Sequence, residues 1–384
     1  MINYNRQHID KDDIKSVVKA LKSDFLTQGT HVEKFEKKLS NTFKCKYVCA
    51  VSSGTAALHL SGMALNFKKN DYILLSPITF VASANCALYS EANVEFVDIE
   101  PEYYTIDAYK LEEKIKELKI KNKNIKAVVA TDYAGQPCDW KKLKFLSKKY
   151  NFFLINDNCH ALGSKYLNRS DYSTKYADIV VQSFHPVKNI TSGEGGAILT
   201  NKKNIYNKVK LLRSHNIIRK KYNWFYDVDS IGYNYRLSDI HSALGASQLS
   251  KLHKFLKKRK QIAKIYSYVF KDNKYVKCPI IRNKCSHAFH LYPIRINFNK
   301  LNISKLEVLR SLRKVGINLQ IHYKPIHMLT LYKKKNKKQK LIEAEKYYAE
   351  TLSLPIFFNM TLKQVNFVAK NILKIINQHK KINI

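Results

Sequence analysis

The stretch SFHPVKNITSGEGG, residues 183–196, decides the fold because it joins two apolar runs through a single lysine and a glycine-rich turn. The run ADIVVQS (177–183) precedes the turn, and the run AILT (197–200) follows it. Short apolar runs rich in β-branched residues predict buried strands. Lys188 lies just beyond the first of these strands. An isolated lysine between two strands is usually a solvated surface residue, so its role depends on the rest of the chain.

Upstream of residue 183, short apolar runs alternate with helical patterns. The predicted strands are 47–51, 72–75, 94–98, 126–130 and 152–156. The predicted helices between them are 56–65, 80–88, 107–118 and 140–150. This alternation predicts an α/β fold with a mainly parallel central sheet that helices cover on both faces. Ligands of such sheets bind beyond the carboxyl ends of the strands.

Polar side chains directly follow several of these strands. The turn SSGT (52–55) lies between a strand and a helix, an arrangement that binds phosphate, although Ser and Thr are equally common as simple helix caps. Asp157 follows another strand, either as a functional carboxylate or as the cap of the next helix. His160, Ser183 and Lys188 belong to the same predicted edge. Their convergence indicates a ligand site more strongly than any single residue does.

The length of 384 residues allows two domains, and 45% hydrophobic with 26% charged residues is typical of globular proteins. We expect a large domain at residues 1–250 and a smaller C-terminal α/β domain at residues 251–384, where short strands alternate with amphipathic helices. A helix is predicted at 10–22. Its apolar residues share one face and are Ile14, Val17, Val18 and Leu21.

The formal net charge of +38 is unusually high. It indicates either an anionic partner, such as nucleic acid, a membrane surface or a phosphorylated substrate, or a lysine-rich composition without such a role. The densest lysine run, KKKNKKQK at 333–340, contains no aromatic residues that could stack on bases. We therefore expect no nucleic-acid partner.

Cysteine usage and the chain's hydropathy bear on location. Seven cysteines without a CxxC pair predict neither a disulfide framework nor a zinc site, and we expect no bound metal. Residues 1–13 lack the apolar core of a signal peptide, and no window resembles a membrane span. We expect a cytoplasmic protein without a membrane partner.

Several stretches together closely resemble the DegT/DnrJ/EryC1/StrS sugar aminotransferase family of fold-type I pyridoxal phosphate enzymes. These stretches are SDFLTQG (23–29), SSGTAALH (52–59), PITFVASAN (77–85), DYAGQPCD (132–139), DNCHALG (157–163), SFHPVKNITSGEGG (183–196), GYNYRLSD (232–239) and IHYKPIH (321–327). They span nearly the whole chain, so the resemblance is specific. It implies the fold-type I architecture and pyridoxal 5′-phosphate as cofactor.

The resemblance also implies roles for individual residues. Lys188 matches the lysine that carries the cofactor, Asp157 the carboxylate facing the pyridine nitrogen, and His160 the residue beneath the ring. Phe80 matches the aromatic residue that stacks on the ring. The phosphate contacts are matched by Gly54, Thr55, Ala56 and Ser183, and by Asn234 of the partner subunit. The last match implies a homodimer with shared active sites.

The residue type at position 188 separates two reactions of the family. Relatives with histidine there dehydrate their substrates, whereas lysine implies transamination. An ionised Asp157 holds the proton of the pyridine nitrogen, and a lysine with a lowered pKa in a partly dry site acts as nucleophile and base. The resemblance implies a two-stage reaction in which L-glutamate leaves its nitrogen on the cofactor and a keto-sugar collects it.

The stretches at 23–29, 183–188 and 322–326 look most like the branch that aminates C4 of a UDP-2-acetamido-2,6-dideoxy-4-keto-hexose in pseudaminic acid biosynthesis. Another UDP- or dTDP-4-keto-6-deoxy sugar is the alternative substrate. A non-catalytic protein that binds cofactor or nucleic acid is disfavoured, because Lys188, Asp157 and the phosphate turn are intact. Candidates for substrate contact are Thr27, Gln28, Gly29, His322, Tyr323 and Lys324. Ordinary roles in a loop or at a helix end remain open for these six.

Overall fold

The computed structural model describes residues 1–219, 224–335 and 339–380. A seven-stranded sheet forms its centre. The strands, in their order across the sheet, are Tyr47–Val51, Gly196–Thr200, Ile179–Ser183, Phe153–Asp157, Asn124–Thr131, Asp71–Leu75 and Asn93–Phe96. All run in the same direction except Gly196–Thr200, which is antiparallel to both of its neighbours. The prediction of a mainly parallel α/β sheet is confirmed.

Helices pack on both faces of this sheet, and each face has its own hydrophobic cluster. Phe35, Leu143 and Val180 belong to one cluster, and Leu58 and Ile155 to the other. The helices of this part are Lys11–Leu21, Thr30–Phe43, Gly54–Ala64, Ala82–Leu88, Ala108–Ile120, Trp140–Tyr150, Tyr172–Tyr176, Lys203–Leu212 and Asp239–Ser250. Because both faces are covered, the central strands are mostly apolar, with polar residues concentrated at their ends.

The C-terminal part has a third hydrophobic cluster around an antiparallel sheet of strands Val276–Lys277, Tyr292–Ile296 and Thr351–Leu354. Its helices are Leu252–Phe270, Phe298–Leu301, Lys305–Lys314, Thr330–Lys335, Ile342–Glu350 and Leu362–Lys380. Strand Ile2–Asn3 pairs with Ile317–Asn318, so the N-terminal residues contact this part. The division between residues 250 and 251 stays a prediction.

The first helix, Lys11–Leu21, packs by a face that includes a carboxylate. Asp10 and Asp13 form its capping box, and the fully buried Asp13 accepts hydrogen bonds from Ser247 and Gln248 of the neighbouring helix. An adjacent, more exposed face is apolar, with exposed fractions of 57% for Ile14, 42% for Val18 and 53% for Leu21. Contiguous exposed apolar side chains of this kind mark surfaces that another molecule covers.

Two strands, Ile217–Arg219 and Tyr226–Val228, form a separate antiparallel pair. Of the lysine run at 333–340, residues 336–338 lie outside the described residues. In the three described ranges, no helix combines the length and the apolar character that crossing a membrane requires.

Candidate active site

The carboxyl ends of the parallel strands open into a cavity of about 640 Å³. Strands Tyr47–Val51, Phe153–Asp157 and Ile179–Ser183 all end beside it. Nine of the residues selected from the sequence line this cavity. They are Gly54, Thr55, Phe80, Asp157, His160, Ser183, Lys188, His322 and Tyr323. The structure therefore brings residues from widely separated stretches of the chain to one place, as the topology of parallel sheets requires.

The polar turn after Val51 becomes the first turn of helix Gly54–Ala64. The Ser53 hydroxyl caps this helix by accepting a 3.0 Å hydrogen bond from the Ala56 N–H. Ala56 thus serves the cap and does not line the cavity. The N–H groups of Gly54 and Thr55 belong to the first turn, which has no acceptors inside the helix. Together with the helix dipole, they suit a phosphate group.

Two glycines let this turn lie close to its neighbours. A Cβ atom on Gly54 would lie 2.9 Å from the Cβ of Ser183. A Cβ on Gly196 would lie 2.4 Å from the carbonyl oxygen of Ser53 and 2.7 Å from the amide nitrogen of Gly54. The absence of side chains therefore allows the phosphate-type turn to pack directly on the start of strand Gly196–Thr200.

Asp157, the last residue of its strand, is only 4% exposed. The hydroxyl of Ser83 donates a 2.6 Å hydrogen bond to Oδ2, and the backbone N–H of Cys159 donates a 3.2 Å bond to Oδ1. Hydrogen bonds to an ionised acceptor are among the strong ones, and two of them fix the plane of the carboxylate. The side chain can hold a protonated ring nitrogen in the cavity.

His160 is buried and neutral. Burial, together with the nearby Lys188 ammonium, lowers its pKa well below the usual range. Its Nδ1 accepts a 3.3 Å hydrogen bond from the N–H of Ala134, which places the ring proton on Nε2. Nε2 lies 3.3 Å from the hydroxyl of Tyr323, so the imidazole donates to the phenol. The ring centroid of His290 lies 4.3 Å from that of His160.

Lys188 lies in the turn that follows strand Ile179–Ser183. The backbone N–H of Lys188 donates a 2.9 Å hydrogen bond to the carbonyl oxygen of His185. The lysine itself is half-buried. Burial lowers the pKa of the Lys188 amine, against the opposing influence of Cys159 and Asp157. A lowered pKa increases the fraction of neutral amine, which is the nucleophilic form.

Other predicted residues lie outside the cavity of this chain. Asn234 and Lys324 are exposed. Residues 27–29 precede the second helix, and the Gly29 N–H donates a 2.8 Å hydrogen bond to Oδ2 of Asp239. The roles assigned to these residues from the sequence stay predictions.

Sequence reasoning missed several residues of the cavity wall. Thr79, Ser83 and Cys159 lie inside the stretches that carry the family resemblance. Their polar or nucleophilic side chains could therefore have identified them as candidate site residues. No sequence pattern pointed to Tyr4, because it reaches the cavity through the pairing of strand Ile2–Asn3 with the C-terminal part. The remaining residues of the wall are Ser52, Ser53, Leu58, Ala82, His185, Val187 and Glu194.

The sequence profile of the DegT/DnrJ/EryC1/StrS aminotransferase family matches residues 7–373. The chain belongs to this family. A relative from Campylobacter jejuni subsp. jejuni serotype O:23/36 (strain 81-176), named UDP-4-amino-4,6-dideoxy-N-acetyl-beta-L-altrosamine transaminase, is 41% identical over 382 residues and 99% of each chain. A protein of the same name from Helicobacter pylori (strain ATCC 700392 / 26695) is 37% identical over 382 residues and 98% of each chain.

Solved structures of aminotransferases share the fold. Helicobacter pylori PseC, an aminotransferase involved in the biosynthesis of pseudoaminic acid, matches with a TM-score of 0.90 and 36% identity over 98% of this chain and 99% of PseC. NtdA from Bacillus subtilis, solved with bound PMP, matches with a TM-score of 0.85 and 26% identity over 96% and 83% of the two chains. The predicted family and fold-type I architecture are confirmed, and both imply pyridoxal phosphate chemistry.

Proposed function

We propose that this aminotransferase uses pyridoxal 5′-phosphate to move an amino group from L-glutamate to C4 of a UDP-2-acetamido-2,6-dideoxy-4-keto-hexose. The product is UDP-4-amino-4,6-dideoxy-N-acetyl-β-L-altrosamine, an intermediate of pseudaminic acid biosynthesis. One observation supports the cofactor most strongly: Lys188, Asp157 and the first turn of helix Gly54–Ala64 line the same cavity. These groups suit an aldehyde, a ring nitrogen and a phosphate, respectively.

The residues of the cavity fit this cofactor. When bound, pyridoxal phosphate supplies the electron sink for the reacting carbon. The N–H groups of Gly54 and Thr55 and the hydroxyl of Ser183 hold its phosphate. Asp157 holds a proton on the ring nitrogen through a charge-assisted hydrogen bond worth about 1.5–3 kcal/mol. Phe80, which is 54% exposed at the wall, offers an aromatic face to the ring.

Lys188 has two tasks in this proposal. Its amine, whose pKa burial lowers, would hold the cofactor through the aldehyde carbon. When it is free, the same amine would act as the base that moves a proton at the substrate carbon. The neutral His160 adds no charge below the ring, so Asp157 remains the group that compensates the charge of the ring nitrogen.

The cavity of about 640 Å³ lies within the usual range for small-molecule sites, about 300–1,000 Å³. His322 and Tyr323 line it, and in this proposal they contact the sugar. Lys324 is exposed and cationic, which suits the diphosphate of the nucleotide. Residues 27–29 are further contacts with the substrate in this proposal.

The active form in this proposal is a homodimer with shared sites. Asn234 is exposed on its own chain and contributes to the phosphate site of the partner. The exposed apolar face of helix Lys11–Leu21 supports this assembly, because burying Ile14, Val18 and Leu21 against a second copy removes apolar surface from water.

Borohydride reduction of the protein with pyridoxal phosphate, followed by peptide mapping, tests the lysine. We expect the reduced adduct on Lys188, no adduct in Lys188→Ala, and a normal adduct in Lys165→Ala, where an exposed lysine is removed. An adduct on another lysine, or none, would overturn the cofactor assignment.

Identification of the product by NMR tests the substrate. The UDP-linked 4-keto-6-deoxy amino sugar and its dTDP counterpart are each incubated with L-glutamate and the enzyme. We expect the 4-amino product from the UDP-sugar. Faster amination of the dTDP-sugar would assign the alternative substrate, while retaining the reaction type.

A further inference from the structure

Three buried hydroxyl groups form a continuous chain that ends on Asp157. The Thr131 hydroxyl donates a 3.0 Å hydrogen bond to the hydroxyl of Thr79, which lies 3.0 Å from that of Ser83. Ser83 donates the 2.6 Å bond to Oδ2 of Asp157. The exposed fractions of the three side chains are 3% for Thr131, 2% for Thr79 and 0% for Ser83, so solvent does not compete for these bonds.

Local structure explains how the chain forms. Thr131 ends its strand and pairs in register with Asp157, which ends the neighbouring strand. Thr79 and Ser83 are four residues apart, where the chain enters helix Ala82–Leu88. The hydroxyls of Thr79 and Ser83 contact those strand ends directly, Thr79 at Thr131 and Ser83 at Asp157.

The direction of every hydrogen bond in the chain follows from the carboxylate. An ionised Asp157 only accepts, so Ser83 spends its single hydroxyl proton on Oδ2. Ser83 therefore accepts from Thr79 in the bond between them, and Thr79 in turn accepts from Thr131. All three O–H dipoles point toward the carboxylate, and hydrogen bonds aligned in this way polarise and strengthen one another.

We propose that Ser83, Thr79 and Thr131 are positioning residues that hold Asp157 ionised and oriented toward the ring nitrogen of the cofactor. This inference rests on the proposed cofactor site and goes beyond it, because it assigns a role to three hydroxyls that do not take part in the reaction. Without the Ser83 donor, the shared proton moves from the ring nitrogen toward the carboxylate, and the ring loses positive charge.

The chain makes a graded prediction, because the influence of a hydroxyl falls with its distance from Asp157. We expect Ser83→Ala and Ser83→Cys to lower kcat about tenfold, the lower end of the effect of losing one hydrogen bond to a charged group. Thr79→Val should have a smaller effect and Thr131→Val the smallest. Both valine variants conserve side-chain shape while removing the hydroxyl.

The direct measurement is the ¹⁵N NMR signal of ring-labelled pyridoxal phosphate bound to each variant, with cofactor affinity from titration of the apoprotein. We expect the signal to move toward the unprotonated nitrogen in the order Ser83, Thr79, Thr131. Ser61→Ala is the matched control, because Ser61 is fully buried but donates to the carbonyl of Ala57 and not to the chain. It should leave the signal and kcat unchanged.

The outcomes separate this inference from the proposed function. A wild-type protein that binds no pyridoxal phosphate would overturn both. A normal wild-type signal that neither Ser83 variant moves, or that Ser61→Ala moves equally, would overturn the hydroxyl chain alone. If the Ser83 variants do not fold, Thr79→Val and Thr131→Val decide, since an unmoved signal in both contradicts the proposal.

Discussion

The side-chain amide of Asn5 donates a 2.6 Å hydrogen bond to the carbonyl oxygen of Val187, the residue before Lys188. The Oδ1 atom of Asn5 lies 3.3 Å from the guanidinium of Arg259, which is 3% exposed. Arg259 also donates to the backbone carbonyls of residues 289, 290 and 356. The N-terminal segment thereby connects the C-terminal part to the backbone beside the candidate catalytic lysine.

The first prediction concerns this contact. Asn5→Ala should lower kcat about tenfold and the free energy of unfolding by about 1–3 kcal/mol, because a buried guanidinium loses an acceptor and the turn before Lys188 loses its support. Steady-state kinetics and urea unfolding measure the two effects. Asn3→Ala, which removes an exposed side chain, is the control. Normal turnover in Asn5→Ala would show that the contact does not position Lys188.

The second prediction concerns the charge of Asp157. Asp157→Asn keeps the shape of the side chain and removes its charge, so kcat should fall roughly 10- to 150-fold with little change in melting temperature. The control is Asp71→Asn, a buried carboxylate that accepts from the Lys68 N–H and the Asn124 amide at the far end of its strand. It should lower stability and spare turnover. Normal turnover in Asp157→Asn together with lost turnover in Asp71→Asn would refute the catalytic assignment of Asp157.

The third prediction is a loss of stability in acid. Burial lowers the pKa of His322 to about 4. The unfolded chain, with an ordinary histidine pKa of about 6.5, binds a proton that the folded chain refuses, so stability falls as the pH drops from about 6.5 toward 4. His322 alone contributes a loss of about 2 kcal/mol between pH 7.5 and pH 5.

Urea unfolding across this pH range measures the loss. His322→Gln removes the titrating group and should flatten the dependence, while other buried histidines, such as His287 with a pKa lowered to about 3, retain part of it. The exposed His253 provides the control His253→Gln, which should leave the slope unchanged. An unaltered slope in His322→Gln contradicts the prediction.

The fourth prediction concerns the close approach at Gly196. Gly196→Ala places a methyl group against the carbonyl of Ser53 and the amide of Gly54, so the phosphate-type turn must shift. We expect the Kd for pyridoxal phosphate to rise at least about tenfold, as a misplaced donor pair loses a charge-assisted hydrogen bond. Gly316→Ala is the control, because φ there is +80° and Gly316 does not line the cavity. This control variant should lower the free energy of unfolding and leave the Kd for pyridoxal phosphate unchanged.

The fifth prediction concerns assembly. Val18→Lys places a charge in the exposed apolar face of helix Lys11–Leu21. It should convert the proposed dimer to a monomer in analytical ultracentrifugation and, because the proposed sites are shared, abolish activity. Lys15→Ala, on the same helix, should remain dimeric and active. A dimeric Val18→Lys protein would place the interface elsewhere.

Much of the site could be predicted from the sequence because the carboxyl ends of parallel strands meet at one edge. That rule places Asp157, Ser183 and Lys188 together. However, an apolar run does not reveal the direction of the strand it forms. No sequence pattern therefore predicted that Gly196–Thr200 is antiparallel to its neighbours. The apolar run indicates that the strand is buried, whereas the direction of the strand in the sheet depends on the length and path of the preceding turn.

Other features depend on contacts that no local pattern encodes. The entry of Tyr4 into the cavity follows from a two-residue strand pair formed with residues 317–318. The face of Ile14, Val18 and Leu21 shows the helical period, but periodicity identifies the apolar side without identifying what covers it. The hydroxyl chain to Asp157 requires the register of Thr131, which only the folded sheet defines.

The wall that contains both Tyr4 and Tyr323 has a consequence for biosynthesis. Tyr323 follows Tyr4, Asp157 and Lys188 in the chain and is therefore the last of the four to be synthesised. A nascent chain therefore carries the lysine and its carboxylate for much of translation without the wall that shields them. The complete wall is therefore available to the proposed cofactor and substrate only after residue 323 has been added.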